Sequence, residues 1–119
     1  MEVITHQIGK NKIAEVISDI LVINNNQDGL ELLVNLYYQD FDRIILHEKN
    51  ITPMFFDLKS GIAGEILQKF STYRVRLAIV GDFSKYQSNS LHDFIYESNK
   101  GQHLSFVSSL SDAITKLSA

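Results

Sequence analysis

Residues 43–86, RIILHEKNITPMFFDLKSGIAGEILQKFSTYRVRLAIVGDFSKY, decide the fold. Arg43-Ile44-Ile45-Leu46-His47 has no polar alternation across its apolar centre, as expected of an interior strand covered on both faces. A polar loop over 48–53 leaves it, and a helix is expected over about 54–73, because the residue before Pro53 is held extended and Leu58, Ile62, Ile66, Phe70 and Tyr73 recur at helical spacing, with Ala63 and Leu67 beside them. Residues 75–80 form a second apolar strand that stops at Gly81-Asp82. A strand, a helix and a strand of these lengths make one right-handed crossover and two parallel strands. His47, Glu48, Asn50, Asp82, Ser84 and Lys85 then fall just past the carboxyl ends of those strands, where open α/β sheets bind their ligands.

Outward from this unit the signals stay local. Residues 2–8 and 12–17 are β-rich runs about Gly9-Lys10-Asn11 and predict an N-terminal hairpin. Residues 20–23, ILVI, predict a third short strand. Asn24-Asn25-Asn26 offers an N-cap with Asp28 in the first turn, and Leu30, Leu33, Val34 and Tyr37 give the helix that follows an apolar face to about Tyr38. Beyond Tyr86, Ser88 or Ser90 caps a helix closed by Gly101, residues 103–107 are the last strand, and Ser109 with Asp112 opens a final helix. The order predicts an α/β fold with a mixed sheet of four to six strands and about four helices. Gly61 and Gly64, inside the expected central helix, each weaken it by about 1 kcal/mol relative to Ala, and close approach of the backbone to the sheet, a partner or a ligand is the expected reason.

Composition narrows the chemistry. A chain of 119 residues is expected to form one domain, 1–119, with one core. Net charge is −3 and the 11 basic residues are scattered, which argues against nucleic acid as a partner. The absence of cysteine removes disulfides, zinc ribbons and thiol nucleophiles. The first residues are neither basic nor apolar enough for a secretory signal and no segment reaches membrane-spanning length, so a cytoplasmic protein without a membrane partner is expected. The four histidines, at 6, 47, 92 and 103, lack the spacing of a zinc helix, so neither a metal nor a cofactor is expected. Neither a P-loop, a dinucleotide fingerprint nor a Gly-x-Ser-x-Gly elbow is present.

The stretch HEKNITPMFFDLKSGIAGEILQKFSTYR, followed by LAIVGDFSKY and LHDFIYESNKG, resembles a small bacterial family, domain of unknown function 4180, over nearly the whole chain. The element order is also similar, more distantly, to the STAS fold of anti-sigma-factor antagonists, in which a serine before a glycine at a strand-to-helix turn is phosphorylated by a partner kinase. The counterpart here is Asp57-Leu58-Lys59-Ser60-Gly61, so the resemblance implies a STAS-like sheet and Ser60 as the phosphorylation site.

These observations give an expected site of His47, Glu48, Asn50, Asp57, Ser60, Asp82, Ser84, Lys85 and Tyr86 at the edge formed by 47–60 and 81–90. The reading they favour is a binding or regulatory module meeting a protein partner or small ligand there, with no catalytic residue. The alternative is a small enzyme using His47, Glu48 and Asp82 in acid–base roles, and a third is a homo-oligomer subunit, with a homodimer the simplest form. A capped, hydrogen-bonded structural role is the plain alternative at each position: a loop carbonyl for His47, and loop N–H groups for Asp82.

Overall fold

A computed structural model describes residues Met1–Ala119. Five strands, β1 (Glu2–Ile8), β2 (Asn11–Ile17), β3 (Arg43–His47), β4 (Arg76–Val80) and β5 (Leu104–Val107), lie in the order β1-β2-β3-β4-β5. β1 is antiparallel to β2 and the other neighbours are parallel. Four helices join them: α1 (Asn26–Tyr37), α2 (Ile62–Thr72), α3 (Asn89–Lys100) and α4 (Leu110–Leu117). This is the expected mixed sheet with four helices.

The period of two along each strand divides the core. Ala14, Val16, Ile44, Leu46, Leu77, Ile79, Leu104 and Phe106 face the large cluster, where α1 brings Leu32, Leu33 and Leu36, α2 brings Ala63, Ile66 and Phe70, and α3 brings Leu91. Ile13, Ile45 and Ala78 face the other way, onto Ala113 and Leu117 of α4 alone. Three helices thus cover one face. The other has a single eight-residue helix, whose carboxyl end comes down over Arg43 and Arg76, neighbours in register at the starts of β3 and β4.

Most helix starts are capped as the sequence predicts. Asn25 accepts from the N–H of Asp28, Ser88 from Leu91 and Ser109 from Asp112. Two expectations fail. Residues 20–23 form no strand: Ile20 and Leu21 are exposed, and only Ile23 bridges to Ile51. The amide of Asn50 holds the carbonyls of Ser18 (2.8 Å) and Ile20 (2.9 Å), groups that a strand would have used in its own ladder. The central helix also begins at Ile62 and not near 54, with 3-10 turns over Glu48–Asn50, Pro53–Phe56 and Leu58–Ser60 before it. Asp57 accepts from the N–H of Lys59 and Ser60 from that of Ile62, local bonds that compete with helix, and Gly61 at φ +80° ends the last turn left-handed.

Gly61 therefore serves conformation, and a Cβ at Gly64 would meet nothing within 4 Å, so neither makes a close approach to the sheet or to any other part of the chain. Such approaches occur elsewhere. A Cβ at Gly29 would lie 2.7 Å from Ile66 Cδ1, where α1 crosses α2, and one at Gly81 would lie 2.6 Å from Glu48 Cβ.

Candidate functional site

The carboxyl ends of β3 and β4 carry a compact polar cluster. Glu48, in the first 3-10 turn after β3, is 9% exposed, and its Oε2 accepts from the Tyr86 hydroxyl at 2.5 Å and from Lys85 Nζ at 2.7 Å. Burial, then the hydrogen bond and charge of Glu48, push the Tyr86 phenol above its ordinary value. Gly81 makes room for this carboxylate, since a Cβ there would also sit 2.7 Å from Glu48 Oε1. Gly81→Ala is expected to destabilise the fold by about 1–3 kcal/mol, because the atom it meets is the root of the Glu48 side chain and not a flexible tip. It should also bring the Tyr86 ionisation down toward the ordinary value of a phenol, which an ultraviolet titration of the variant against the wild type would read.

Tyr86 continues into an aromatic wall. Its ring stacks on Phe56 (centroids 5.2 Å, planes at 24°), Phe56 leans on Phe83 at 5.9 Å, and Phe83 meets Phe106 edge-on at 5.2 Å. His92 Nε2 lies 2.5 Å from the Tyr86 carbonyl and anchors its backbone. On the solvent side of the stacked pair lies a cleft of about 470 Å³, lined by Pro53, Phe56, Asp57, Leu58, Lys59, Tyr86, Gln87, Ser88 and Ser90. A second hollow, about 670 Å³, lies between the ends of β4 and β5 and α4, with Asp82, Asp112 and Lys116 on its walls.

Of the residues expected to form one site, Glu48, Lys85 and Tyr86 come together, and Asp57 shares the cleft with Tyr86. Asp82 and Ser84 pair with each other: the Ser84 hydroxyl (2.6 Å) and N–H (3.1 Å) both donate to Asp82 Oδ1 and hold that carboxyl below its ordinary value. Asn50 is buried in the tie to 18–20 described above. The Ser60 hydroxyl donates to the Met54 carbonyl at 2.6 Å. His47 is not with the others. Adjacent strand residues point to opposite faces, and His47 lies on the α4 side with Ile45, so its Nε2 meets Glu15 Oε2 at 2.7 Å. His47, Glu48 and Asp82 therefore have separate partners, and the acid–base trio does not assemble.

Glu15 and His6 are residues that the sequence reading passes over. Glu15 lies opposite Ile4 on β1 and Ile45 on β3, so His6 and His47 are its diagonal neighbours on the same face. Glu15 is 4% exposed and takes His6 Nε2 at 2.8 Å on one oxygen and His47 on the other. Burial works to raise its carboxyl, but the hydrogen bonds of His6 and His47 and then their charges outweigh this and set it below the ordinary value. None of the three lines a cleft. No three His, Cys, Asp or Glu side chains are grouped to hold a metal ion, and no helix is long and apolar enough to cross a membrane.

No curated protein and no solved structure matches the chain significantly. The profile of a family described as a domain of unknown function, DUF4180, matches residues 8–117, from the last residue of β1 to the last of α4. The chain belongs to the DUF4180 family.

Proposed function

We propose that the protein is a binding module whose small ligand lies in the cleft between 53–59 and 86–90. The observation that carries this reading is the stacked Phe56–Tyr86 pair as one wall of a concavity within the usual ligand-site range of about 300–1,000 Å³. Its position past the carboxyl ends of parallel strands is where such folds bind ligands. The lining selects the chemistry. An apolar ring face from Tyr86, backed by the buried Phe56, with Asp57, Lys59, Gln87, Ser88 and Ser90 around it, suits a compact molecule with one flat apolar face and polar edges. Glu48 fixes the Tyr86 ring by its hydroxyl, so the wall is set before a ligand arrives. Phosphorylation of Ser60, next in sequence to the lining residues 56–59, would add negative charge beside the cleft and give the module a regulatory input.

A thermal-shift screen with nucleotides, sugars, amino acids and acyl compounds tests the reading. A ligand at 100 times its dissociation constant stabilises by about 2.7 kcal/mol, enough to move the midpoint by several degrees. The expected hit perturbs backbone amide resonances of residues 56–59 and 86–90 and binds at least tenfold more weakly to Lys59→Ala/Gln87→Ala, two exposed substitutions outside the core. A hit whose perturbations gather elsewhere, or whose affinity ignores both substitutions, overturns the assignment.

A further inference from the structure

β1 lies on the outer edge of the sheet, paired with β2 in unbroken register from Glu2↔Ile17 to Ile8↔Asn11. The hairpin closes through two residues, Gly9 at φ +60° and Lys10, so the Ile8–Asn11 pair exchanges backbone bonds. By alternation His6–Ile13, Ile4–Glu15 and Glu2–Ile17 do so too. The N–H and C=O groups of Val3, Thr5 and Gln7 therefore point away from β2, along the free edge. Exposed edges are commonly blunted by proline, lysine or a bulge, and EVITHQI has none of these. The opposite edge, β5, has only four residues. Of the large apolar side chains left exposed, Met1, Ile4 and Ile8 lie on or beside β1, and Ile20 and Leu21 follow β2 at the same end of the hairpin as Glu2.

The three outward residues are symmetric about Thr5. We propose that two copies of the chain pair antiparallel along β1, about a two-fold axis at Thr5, so that one sheet runs through both. Thr5 then lies opposite Thr5, and Val3 opposite Gln7. Every outward N–H and C=O on both strands finds a partner in this register. Shifting it by one residue would set inward-pointing groups against outward ones. On the face that carries His6, Ile4 of each copy meets His6 of the other. Glu2, the only carboxylate on the strand, meets Ile8 with Lys10 of the partner hairpin just beyond, so no like charges are opposed. An edge contact buries little surface, toward the low end of the roughly 1,200–2,000 Å² of stable complexes, so the dimer should dissociate on dilution through the micromolar range.

The chain has no cysteine, so introduced thiols report the register directly. Opposed residues of a hydrogen-bonded antiparallel pair lie about 5.5 Å apart at Cα, within disulfide reach. With diamide as the oxidant that takes up the thiol protons and electrons, Thr5→Cys should give a covalent dimer. Val3→Cys mixed with Gln7→Cys should do the same, while Gln7→Cys alone should not. Light scattering across a concentration series should show the wild type rising to a dimer mass. Thr5→Pro should stay monomeric with an unchanged far-ultraviolet dichroism spectrum, since its lost N–H faces outward and serves no bond to β2. A wild type that stays monomeric up to high micromolar concentration overturns the proposal. So does a dimer that survives Thr5→Pro, or self-linking of Gln7→Cys as fast as of Thr5→Cys. An edge occupied by a strand of a different protein would appear as the first of these results.

Discussion

Arg76→Ala is expected to lower the unfolding free energy by about 3 kcal/mol, the largest loss foreseen for any single side chain outside the apolar core. The guanidinium bonds four backbone carbonyls: Gln102 through Nε (2.7 Å), Lys116 through one terminal nitrogen (2.8 Å), and Ala119 (2.8 Å) and, at the limit of reach, Leu117 (3.5 Å) through the other. Three of these acceptors are at the carboxyl end of α4, where carbonyls lack helical partners and the helix dipole is negative. Arg43 adds a bond from its Nε to Leu117 at 2.6 Å. The two arginines thus hold down a helix too short to persist alone, and that helix is the sole cover of Ile13, Ile45 and Ala78. Charged hydrogen bonds contribute about 1.5–3 kcal/mol each, and partial exposure lets water replace some of what is lost, hence a value near 3 and not the full sum. The arrangement also carries a penalty. Burial, and then the repulsion of Arg43, lower the Arg76 pKa. Arg76→Lys should recover part of the loss, since an ammonium keeps the charge but lacks the planar fork. Urea unfolding should show a lower midpoint at unchanged slope for the Ala variant, and a loss under about 1 kcal/mol would mean that α4 is held by its apolar face alone.

The clamp illustrates what the letters could and could not disclose. The five strands of the sheet, the caps of α1, α3 and α4 and the hairpin turn are legible because each is decided within a few residues: Asn25, Ser88 and Ser109 cap their helices through donors three residues on, and Gly9 takes the positive φ that a two-residue turn needs. Leu58 fell at helical spacing with Ile62 and Ile66, so periodicity alone extended α2 back through 54–61. The side chains of Asp57 and Ser60 and the left-handed Gly61 override that pattern, and their capping chemistry was the signal to weigh against it. Arg43 and Arg76 read as ordinary residues at the beginnings of strands, because nothing local says that both will lie under the end of a helix, 74 residues on from Arg43 and 40 on from Arg76.

The candidate site divides along the same line. Glu48, Lys85 and Tyr86 could be placed together from the crossover, since both strand ends open on the same side of the sheet. His47 could be assigned a face only by knowing which of its neighbours met the three-helix side, and Glu15 only by knowing the registers of β1 and β3 on β2. Once those pairings exist, His6, Glu15 and His47 follow from the period of two. The polar cluster is built from cross-strand diagonals and not from sequence neighbours, and His47 and Glu48, adjacent in the chain, serve two separate groups on different faces.

Glu15→Gln is expected to lower stability by about 2 kcal/mol near neutral pH, and the gap should close in acid. The carboxylate, buried between two imidazoles, has its folded pKa set below its ordinary value of 4.5. A group with a depressed folded pKa stabilises above its unfolded value, and that contribution is lost as pH falls through the folded one, because the unfolded chain takes up the proton first. The wild type should therefore lose stability from about pH 4.5 downward more steeply than the variant, and urea midpoints measured at a series of pH values would show the two profiles converging. Glutamine keeps the shape but offers one donor and one acceptor, so one imidazole must turn an acceptor nitrogen toward it while the charge-assisted bonds disappear. Profiles that run parallel through the acid range would mean that the carboxylate gains nothing from its two histidines beyond packing. Because none of the three residues lines the cleft at Tyr86, the same substitution should leave ligand affinity there unchanged, whereas His6 lies on β1, the strand proposed above to pair two copies. A pH dependence of the dimer that vanishes in Glu15→Gln would connect this cluster to assembly, and one that persists would confine it to the stability of the β1–β2–β3 edge.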